Sequence, residues 1–385
     1  MPSSQARSLP KPSLKNSAKQ FWQRVTEGLE LSQLWSQFEK DARSSYRLYS
    51  AGLAERAEGR GFHRWWGVTK ALFWAIIEKL SPARRVLLLL ALILLFFPAG
   101  GFNYQGKAGN VSFDLNLQIW GGLLMFVVLL LELADRVVMK RDLEIAKDIQ
   151  AWLLPGAPLQ IPGYQIAYAT RPANTVAGDY YDVILRRGQA SSDDRVLFVV
   201  ADVAGKSIPA AMLMATFQAS LRTLSSSRAS LAELVAGLNH YACSNSQGGS
   251  RFTTAFLADL DPATGNLTYV NGGHNAPVLR RGSGVVERLE AGGIPLGIFE
   301  DASYRVETTR LGAGDYLVIF TDGVVEAINS KGDEYGEAEL TRLVDRRVAA
   351  APSELLRGLL EELNAFVGNT PQHDDMTCLL LKRGS

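Results

Sequence analysis

Cysteine is nearly absent: 385 residues hold two, Cys243 and Cys378, far apart and with no pairing pattern. That excludes a disulfide framework and fits a reducing compartment. Histidine is scarce too, at four. His240 precedes Cys243 by three residues and could share its helix face, but two ligands do not make a zinc site. Tryptophan is missing from the last 233 residues, all seven lying between Trp22 and Trp152. The two parts of the chain were therefore not built for the same surroundings. Residues 1–18, rich in Ser, Pro and Lys, lack the apolar core of a secretory signal and read as disordered.

What is present is uneven. Residues 1–85 carry 15 Lys and Arg against 7 Asp and Glu, a net of +8, which leaves −7 for residues 86–385 in a chain of net +1. From Phe21 to about Ala54 apolar residues recur near helical spacing, as in Trp22, Val25 and Leu29. In His63–Leu80 the apolar face of Trp65, Trp66, Phe73 and Ile77 is flanked by Arg64, Lys70 and Lys79. Such a basic, Trp-bearing helix suits the interface of an anionic lipid leaflet.

Two long apolar runs follow. Val86–Phe97 has no polar side chain and extends to Phe102, about 17 residues and short for a span. Leu115–Leu133 is interrupted only by Asn116, Gln118 and Glu132. Arg84 and Arg85 precede the first, and Arg136, Lys140 and Arg141 follow the second, so the positive-inside rule puts both outer flanks in the cytoplasm. The expectation is a two-span hairpin over 83–134, with the polar stretch Asn103–Asp114 as a short external loop. From Glu132 to Leu153 there is no Gly or Pro, and Met139, Leu143, Ala146 and Leu153 fall near heptad spacing. A helix is expected to continue from the membrane into a linker over 135–155, its stripe meeting either a second copy or the following domain. Pro155 ends it.

Beyond Gly163 the pattern changes to short strands separated by turns: Tyr164–Thr170, Asp182–Leu185, Val196–Ala201, Thr253–Asp259, Leu267–Val270, Val278–Arg280, Val285–Leu289, Tyr304–Thr309, Tyr316–Phe320 and Thr377–Leu381. Helical patterns occupy Ile208–Leu224, Ser230–Ser244, Glu337–Ala349 and Pro352–Phe366. Strands in hairpin succession predict an α+β fold, an antiparallel β-sandwich flanked by helices, over 156–385. The helix from Ile208 reads as apolar on every side, with Ser207 as its cap and Pro209 in its first turn.

Four aspartates stand out by position. Asp202 ends the buried run Val196–Ala201, Asp322 follows Y-L-V-I-F, Asp374 opens D-D before the last strand, and Asp179 lies in A-G-D-Y-Y-D. Brought together by a sheet, they would repel one another. A hard divalent cation, Mg²⁺ or Mn²⁺, relieves that repulsion and prefers oxygen ligands. Such a cluster supports metal-assisted hydrolysis of a phosphoester. Taken singly, each motif is as readily a turn or solvated charge.

In order, however, A-K-D-I-Q-A-W-L-L-P, G-D-Y-Y-D-V, A-D-V-A-G-K, F-T-T-A, N-G-G-H-N-A-P, I-P-L-G, F-T-D-G-V-V-E-A-I-N and H-D-D-M-T resemble the PPM-type (protein phosphatase 2C-like) Ser/Thr phosphatases, in the bacterial SpoIIE and RsbU branch. The resemblance covers about Ala146 to Leu381 and omits the membrane runs. It implies two Mn²⁺ or Mg²⁺ ions. Asp202 matches the bridging ligand and the Val203 carbonyl the next one. Asp322 and Asp374 match the carboxylates of the second metal, and Asp179 the one that holds a water of the site on the other side. Asp182 and Asp375 are candidates to brace and cap the loop. Two positions depart from the family pattern: Ala177 stands where the first glycine of G-G-D is usual, and Ser207 where the last glycine of G-K-G is usual. His274 is either a proton donor or part of a structural turn. His373 could do acid work, Lys206 attracts phosphate or faces solvent, and Arg251, after the loop 244–250, is a candidate phosphate contact.

The expectation is a membrane-anchored, metal-dependent protein phosphatase of the bacterial inner membrane, multi-pass, with its catalytic domain in the cytoplasm. Its implied partners are a phosphoprotein substrate, in this branch a phosphorylated anti-sigma-factor antagonist, membrane lipid, and, as one of the two covers open to the linker helix, a second copy; no nucleic acid is expected. The alternatives are an inactive phosphoprotein-binding scaffold and a lipid or small-molecule phosphatase.

Overall fold

The computed structural model describes residues 80–96, 102–106, 109–113, 117–188, 190, 194–227, 229–245, 251–290 and 292–384. The basic segment with its amphipathic helices, through residue 79, and loop residues 246–250 lie outside them. The chain divides into two compact units, Met1–Asp135 and Arg136–Ser385.

In the first unit, α1 (Pro82–Phe96) takes up the first apolar run. Its 15 residues span about 22 Å, short of a hydrocarbon core of about 30 Å. The stretch read as a polar loop forms a two-stranded ladder, β1 (Phe102–Gly106) and β2 (Gly109–Phe113), in register from Phe102↔Phe113 to Gly106↔Gly109. Helix α2 (Leu117–Leu153) then runs 37 residues without a break, joining the second apolar run to the expected linker as one element. Among the described residues it is the one helix long and apolar enough to cross a membrane. Its turn at Gly121 meets α1 closely: a Cβ there would lie 2.7 Å from the Leu95 nitrogen and 2.9 Å from the Ala91 carbonyl. Only a residue without a side chain permits that backbone approach. Arg84 completes the pairing with bonds to Asp135 (2.6 Å) and Glu132 (3.3 Å).

The second unit is a sandwich of two five-stranded antiparallel sheets. Its strands are β3 (Tyr164–Arg171), β4 (Tyr180–Arg186), β5 (Arg195–Val203), β6 (Thr253–Leu260), β7 (Asn266–Gly272), β8 (Val278–Arg280), β9 (Val286–Arg288), β10 (Glu307–Arg310), β11 (Tyr316–Phe320) and β12 (Met376–Arg383). One sheet has the order β10-β7-β6-β5-β4 and the other β3-β12-β11-β8-β9. Its helices are α3 (Ser207–Ser225), α4 (Leu231–Asn245), a single turn α5 (Asp322–Val325), α6 (Glu337–Arg346) and α7 (Pro352–Val367).

The strands are apolar at consecutive positions because both faces are covered. Along β5, Val196, Phe198 and Val200 point between the sheets, where they meet Leu317, Ile319 and Leu379. Leu197, Val199 and Ala201 point outward onto Met214, Leu221 and Leu234 of α3 and α4. The other sheet repeats this, with Val318, Phe320 and Leu380 packing on α6 and α7. Burying a side chain of this size contributes about 1.5–3 kcal/mol, so the central strands are fixed and their ends are rigid mounts.

Helix α3 differs from the expectation. It buries Ala210, Met214, Phe217 and Leu221, yet Ile208 and Met212 are exposed, so it has one apolar face against the sheet and another outside. Lys206 occupies the cap position with no side-chain cap bond, so Ser207 does not cap. It instead adopts φ +62°, the left-handed region that favours glycine.

Candidate active site

The antiparallel order puts the ends of β5 and β11 and the starts of β4 and β12 at one end of the sandwich. Asp202 is the penultimate residue of β5, Asp179 immediately precedes β4, Asp322 opens α5 two residues after the end of β11, and Asp374 lies two residues before β12. Four distant segments thus deliver a carboxylate each. Their proximity registers in their acidities. Burial raises the Asp202 pKa to about 7, and the charges of Asp322, Asp374 and Asp375 add to the rise. Asp179 is raised well above the carboxylate range by burial and then by Asp202, opposed by the hydroxyls of Thr377 and Thr321. Asp322 is raised by burial and then by Asp374.

Glycines let these segments close up. A Cβ on Gly323 would fall 2.1 Å from the Asp375 carbonyl oxygen, an impossible contact, so the turn after β11 can lie against the Asp374–Asp375 segment only as glycine. A Cβ on Gly178 would meet the Val203 carbonyl at 3.1 Å and crowd an oxygen expected to face a metal.

The sequence reading missed how the surroundings hold the site. Thr321, fully buried, donates its hydroxyl to Asp179 at 2.8 Å. Asp375 accepts the backbone N–H groups of Ala173 (2.7 Å) and Gly178 (2.6 Å), tying the loop that carries Asp179 to the start of β12. Gln150, on the linker part of α2, forms a two-point bond with one residue of that loop: its amide donates to the Ala177 carbonyl at 2.7 Å and accepts the Ala177 N–H at 2.9 Å. Its sequence signal was its place in the motif A-K-D-I-Q-A-W-L-L-P, which gave no hint of its partner. The expected departure at Ala177 therefore marks the place where the linker grips the loop.

Other candidates fall elsewhere. Asp182 is fully buried on β4 and faces Arg222 of α3 through bonds of 2.8 and 2.9 Å, with the Tyr180 hydroxyl at 2.5 Å; it braces the helix, not the carboxylate cluster. Lys206 does not simply face solvent: its ammonium contacts Asp374 at 2.9 Å and the His373 carbonyl at 2.6 Å. His274 is buried beside Thr254, its Nδ1 3.1 Å from that hydroxyl, and burial pushes its pKa down to about 4. At neutral pH it is uncharged and fits the structural turn. Arg251 lines a small apolar pocket with Leu213, Phe217 and Tyr241. His240 pairs with Glu300 at 2.9 Å rather than with Cys243.

Whether these residues fit a metal can be judged from the donor set. Every donor is an oxygen, and the neighbouring carboxylate charge that, after burial, raises Asp202 and Asp322 is the field a hard divalent cation would neutralise. Among the described residues no three His, Cys, Asp or Glu side chains are gathered at ligating spacing, since Asp374 is turned to Lys206 and Asp179 to Thr321. The donor chemistry fits a hard divalent cation.

Two five-stranded antiparallel sheets between helix pairs, with acids at one end, define the PP2C class of fold. The SiaA-PP2C domain of Pseudomonas aeruginosa shares it, with a TM-score of 0.56 and 22% identity over 66% of this chain and 99% of that one. The chain belongs to the SpoIIE family, whose profile, Stage II sporulation protein E (SpoIIE), matches residues 192–384. Asp202, Asp322 and Asp374 lie within that match and Asp179 before it. Protein IcfG of Synechocystis sp. is 26% identical over 273 residues, 64% of this chain and 42% of IcfG. Phosphoserine phosphatase RsbU of Bacillus subtilis is 27% identical over 245 residues, 63% of this chain and 70% of RsbU. The chain thus spans less than half the length of IcfG.

Proposed function

We propose that this chain is a membrane-anchored, divalent-metal-dependent phosphatase that hydrolyses phosphoserine or phosphothreonine on a cytoplasmic signalling protein. The observation that carries the reading is that Asp179, Asp202, Asp322 and Asp374 lie at one end of the sandwich, where burial and neighbouring carboxylates raise the pKa of Asp179, Asp202 and Asp322. The name of the relative RsbU, a phosphoserine phosphatase, supports the same substrate class. By the family resemblance the substrate is a phosphorylated anti-sigma-factor antagonist.

Asp202, the Val203 carbonyl, Asp322, Asp374 and Asp179 would hold two Mn²⁺ or Mg²⁺ ions. Bound there, the ions supply Lewis acidity toward a phosphoryl oxygen and lower the pKa of water. The chain's own groups do the positioning. Thr321 fixes the orientation of Asp179, and Asp375 fixes the loop before it. Lys206 brings a positive charge to the rim, where turning from Asp374 would let it meet a substrate phosphate. Gln150 links the linker helix to the loop, so a displacement of that helix is felt at Asp179.

The organisation we propose is a two-span hairpin over 83–134, a linker helix over 135–155 and the catalytic domain over 156–385. Support comes from the close helix approach at Gly121 and from α2, where Phe126, Leu129 and Leu133 are more than half exposed. The stripe of Val138, Ile145, Ile149 and Trp152, also exposed, is then the face that a second copy would cover. A reporter fused after Gly106 should be external; a cytoplasmic signal there would overturn the hairpin.

The Lys206–Asp374 pair favours a second reading, a non-catalytic scaffold in which lysine replaces the metal. Release of phosphate from a phosphoserine protein by the full chain decides between them. Turnover with Mn²⁺ that is lost with chelator and in Asp202→Asn is expected, and no turnover with any divalent ion would leave the scaffold.

A further inference from the structure

We propose that the end of the sandwich remote from the aspartates carries a second site, built to bind the phosphate group of an anionic ligand. Strand β12 starts beside Asp374 and ends at Arg383, eight residues or about 24 Å away. There a cleft of about 640 Å³ opens between Tyr164, Pro262, Arg281, Arg310, Asp315 and Arg383. Clefts of this size accept small ligands.

Its three arginines are not equivalent. Arg281 is neutralised: Glu287 takes two of its N–H groups at 2.7 and 2.6 Å, and Asp315 a third at 2.9 Å. Asp315 in turn is saturated by the N–H groups of Gly282 and Gly312, both at 2.8 Å. Arg310 and Arg383 have no carboxylate partner among the described residues. They bond instead to backbone carbonyls, and to a common one: Arg310 Nε donates to Thr264 O at 3.1 Å and Arg383 Nη1 to the same oxygen at 3.3 Å. Arg383 is also bonded to the Leu311 carbonyl and lies over the Tyr164 ring, 5.7 Å from its centre.

Two guanidinium groups sharing one acceptor lie within about 6 Å of each other at the bonded atoms, by the geometry of two hydrogen bonds. Their like charges repel, and neutral carbonyls hold them there without cancelling either charge. The nearby acid, Asp261, already accepts the N–H groups of Ala263 and Thr264 and faces Arg195 at 3.5 Å. What remains is a positive pair, fixed in orientation, with N–H groups left over. Phosphate is the anion such a fork recognises best, through several charge-assisted bonds at once. A ligand here would also touch Pro162–Tyr164, on the stretch that leads from the linker into β3, where Gly384 N bonds Gly163 O at 2.8 Å. Occupancy would therefore bear on the segment through which the linker enters the domain.

The phosphate could come from a soluble ester or from a lipid headgroup, and two arms of one experiment tell these apart. Inorganic pyrophosphate is titrated calorimetrically into the full chain in detergent with EDTA, where the acidic end repels anions. Vesicles of phosphatidylcholine with and without a phosphoinositide are offered to the same chain. Saturable binding of either probe is expected, weakened at least about tenfold in Arg310→Gln, as loss of a charge-assisted bond requires, and less in Arg383→Lys. It should be unchanged in Asp202→Asn. Unaltered metal-dependent turnover of Arg310→Gln would verify that it folds. Binding of pyrophosphate alone identifies a soluble ligand, and preference for phosphoinositide vesicles, reversed by pyrophosphate, a headgroup. No millimolar binding of either probe, or binding indifferent to both arginine substitutions, would overturn the site.

Discussion

Asp182 and Asp202 lie on adjacent strands of the same sheet, and their surroundings are opposite. Asp182, on β4, is completely buried and fully partnered by Arg222, the Tyr180 hydroxyl and the Val183 N–H. The carboxylate of Asp202, on β5, has no hydrogen-bond partner among the described residues; burial, and after it the further carboxylates it faces, lift its pKa to about 7. A buried acid provided with partners holds elements together. One left without them, at a rigid strand end, destabilises the fold in order to serve something outside the chain. The difference separates the brace from the candidate metal ligand.

The largest effect that should sharpen this contrast is at Asp202. Asp202→Asn is expected to lower turnover by more than about 100-fold, beyond the loss typical of an outer partner of a metal ligand, while raising the melting temperature of the chelator-treated protein. The sign follows from linkage. With a folded-state pKa near 7 and an ordinary value near 4, the wild type has its full stability below pH 4 as far as this group is concerned, and loses it as pH rises to about 7. Thermal melts in EDTA between pH 5 and 8 should therefore slope downward for wild type and be flatter for the variant.

Asp182→Ala should do the reverse. It leaves the Tyr180 hydroxyl unpartnered and frees Arg222, and it should cost about 3 kcal/mol in denaturant unfolding. Equal stability would mean that the brace is ornamental. Smaller again is Gln150→Ala, which strands the N–H and C=O of Ala177. A loss of about 1–2 kcal/mol is expected, together with slower turnover at unchanged metal saturation; unchanged turnover would uncouple the linker from the loop. The smallest effect is a gain. Ser207→Gly relieves a left-handed residue and should stabilise the domain by about 1 kcal/mol, seen as a rise in melting temperature.

Much of the sandwich could be read from the chain because local pattern determines it. Continuous apolar strands such as Val196–Ala201 need cover on both faces, and they have it. The helix expected over Pro352–Phe366 runs Pro352–Val367. Aspartates at the ends of such strands were visible for the same reason. What sequence could not reveal are pairings between distant residues: Gln150 with Ala177, Asp375 with Gly178, Asp182 with Arg222, Lys206 with Asp374. None leaves a local signal, and each assigns a role. The ladder of β1 and β2 was hidden too, because its residues look like an ordinary polar loop. At Ser207 a cap-forming residue type suggested the wrong local structure, since the backbone there needs a glycine-like conformation.

The central claim, that the acids at this end of the sandwich form a metal centre, is tested most directly by calorimetric titration of Mn²⁺ into the full chain near pH 6.5, in two buffers of different ionisation enthalpy. Two ions per chain are expected, with net proton release because Asp202 is partly protonated at that pH, and with the saturable phase lost in Asp202→Asn but kept in Arg310→Gln. Absence of saturable Mn²⁺ binding, or binding equal in Asp202→Asn, would contradict the account.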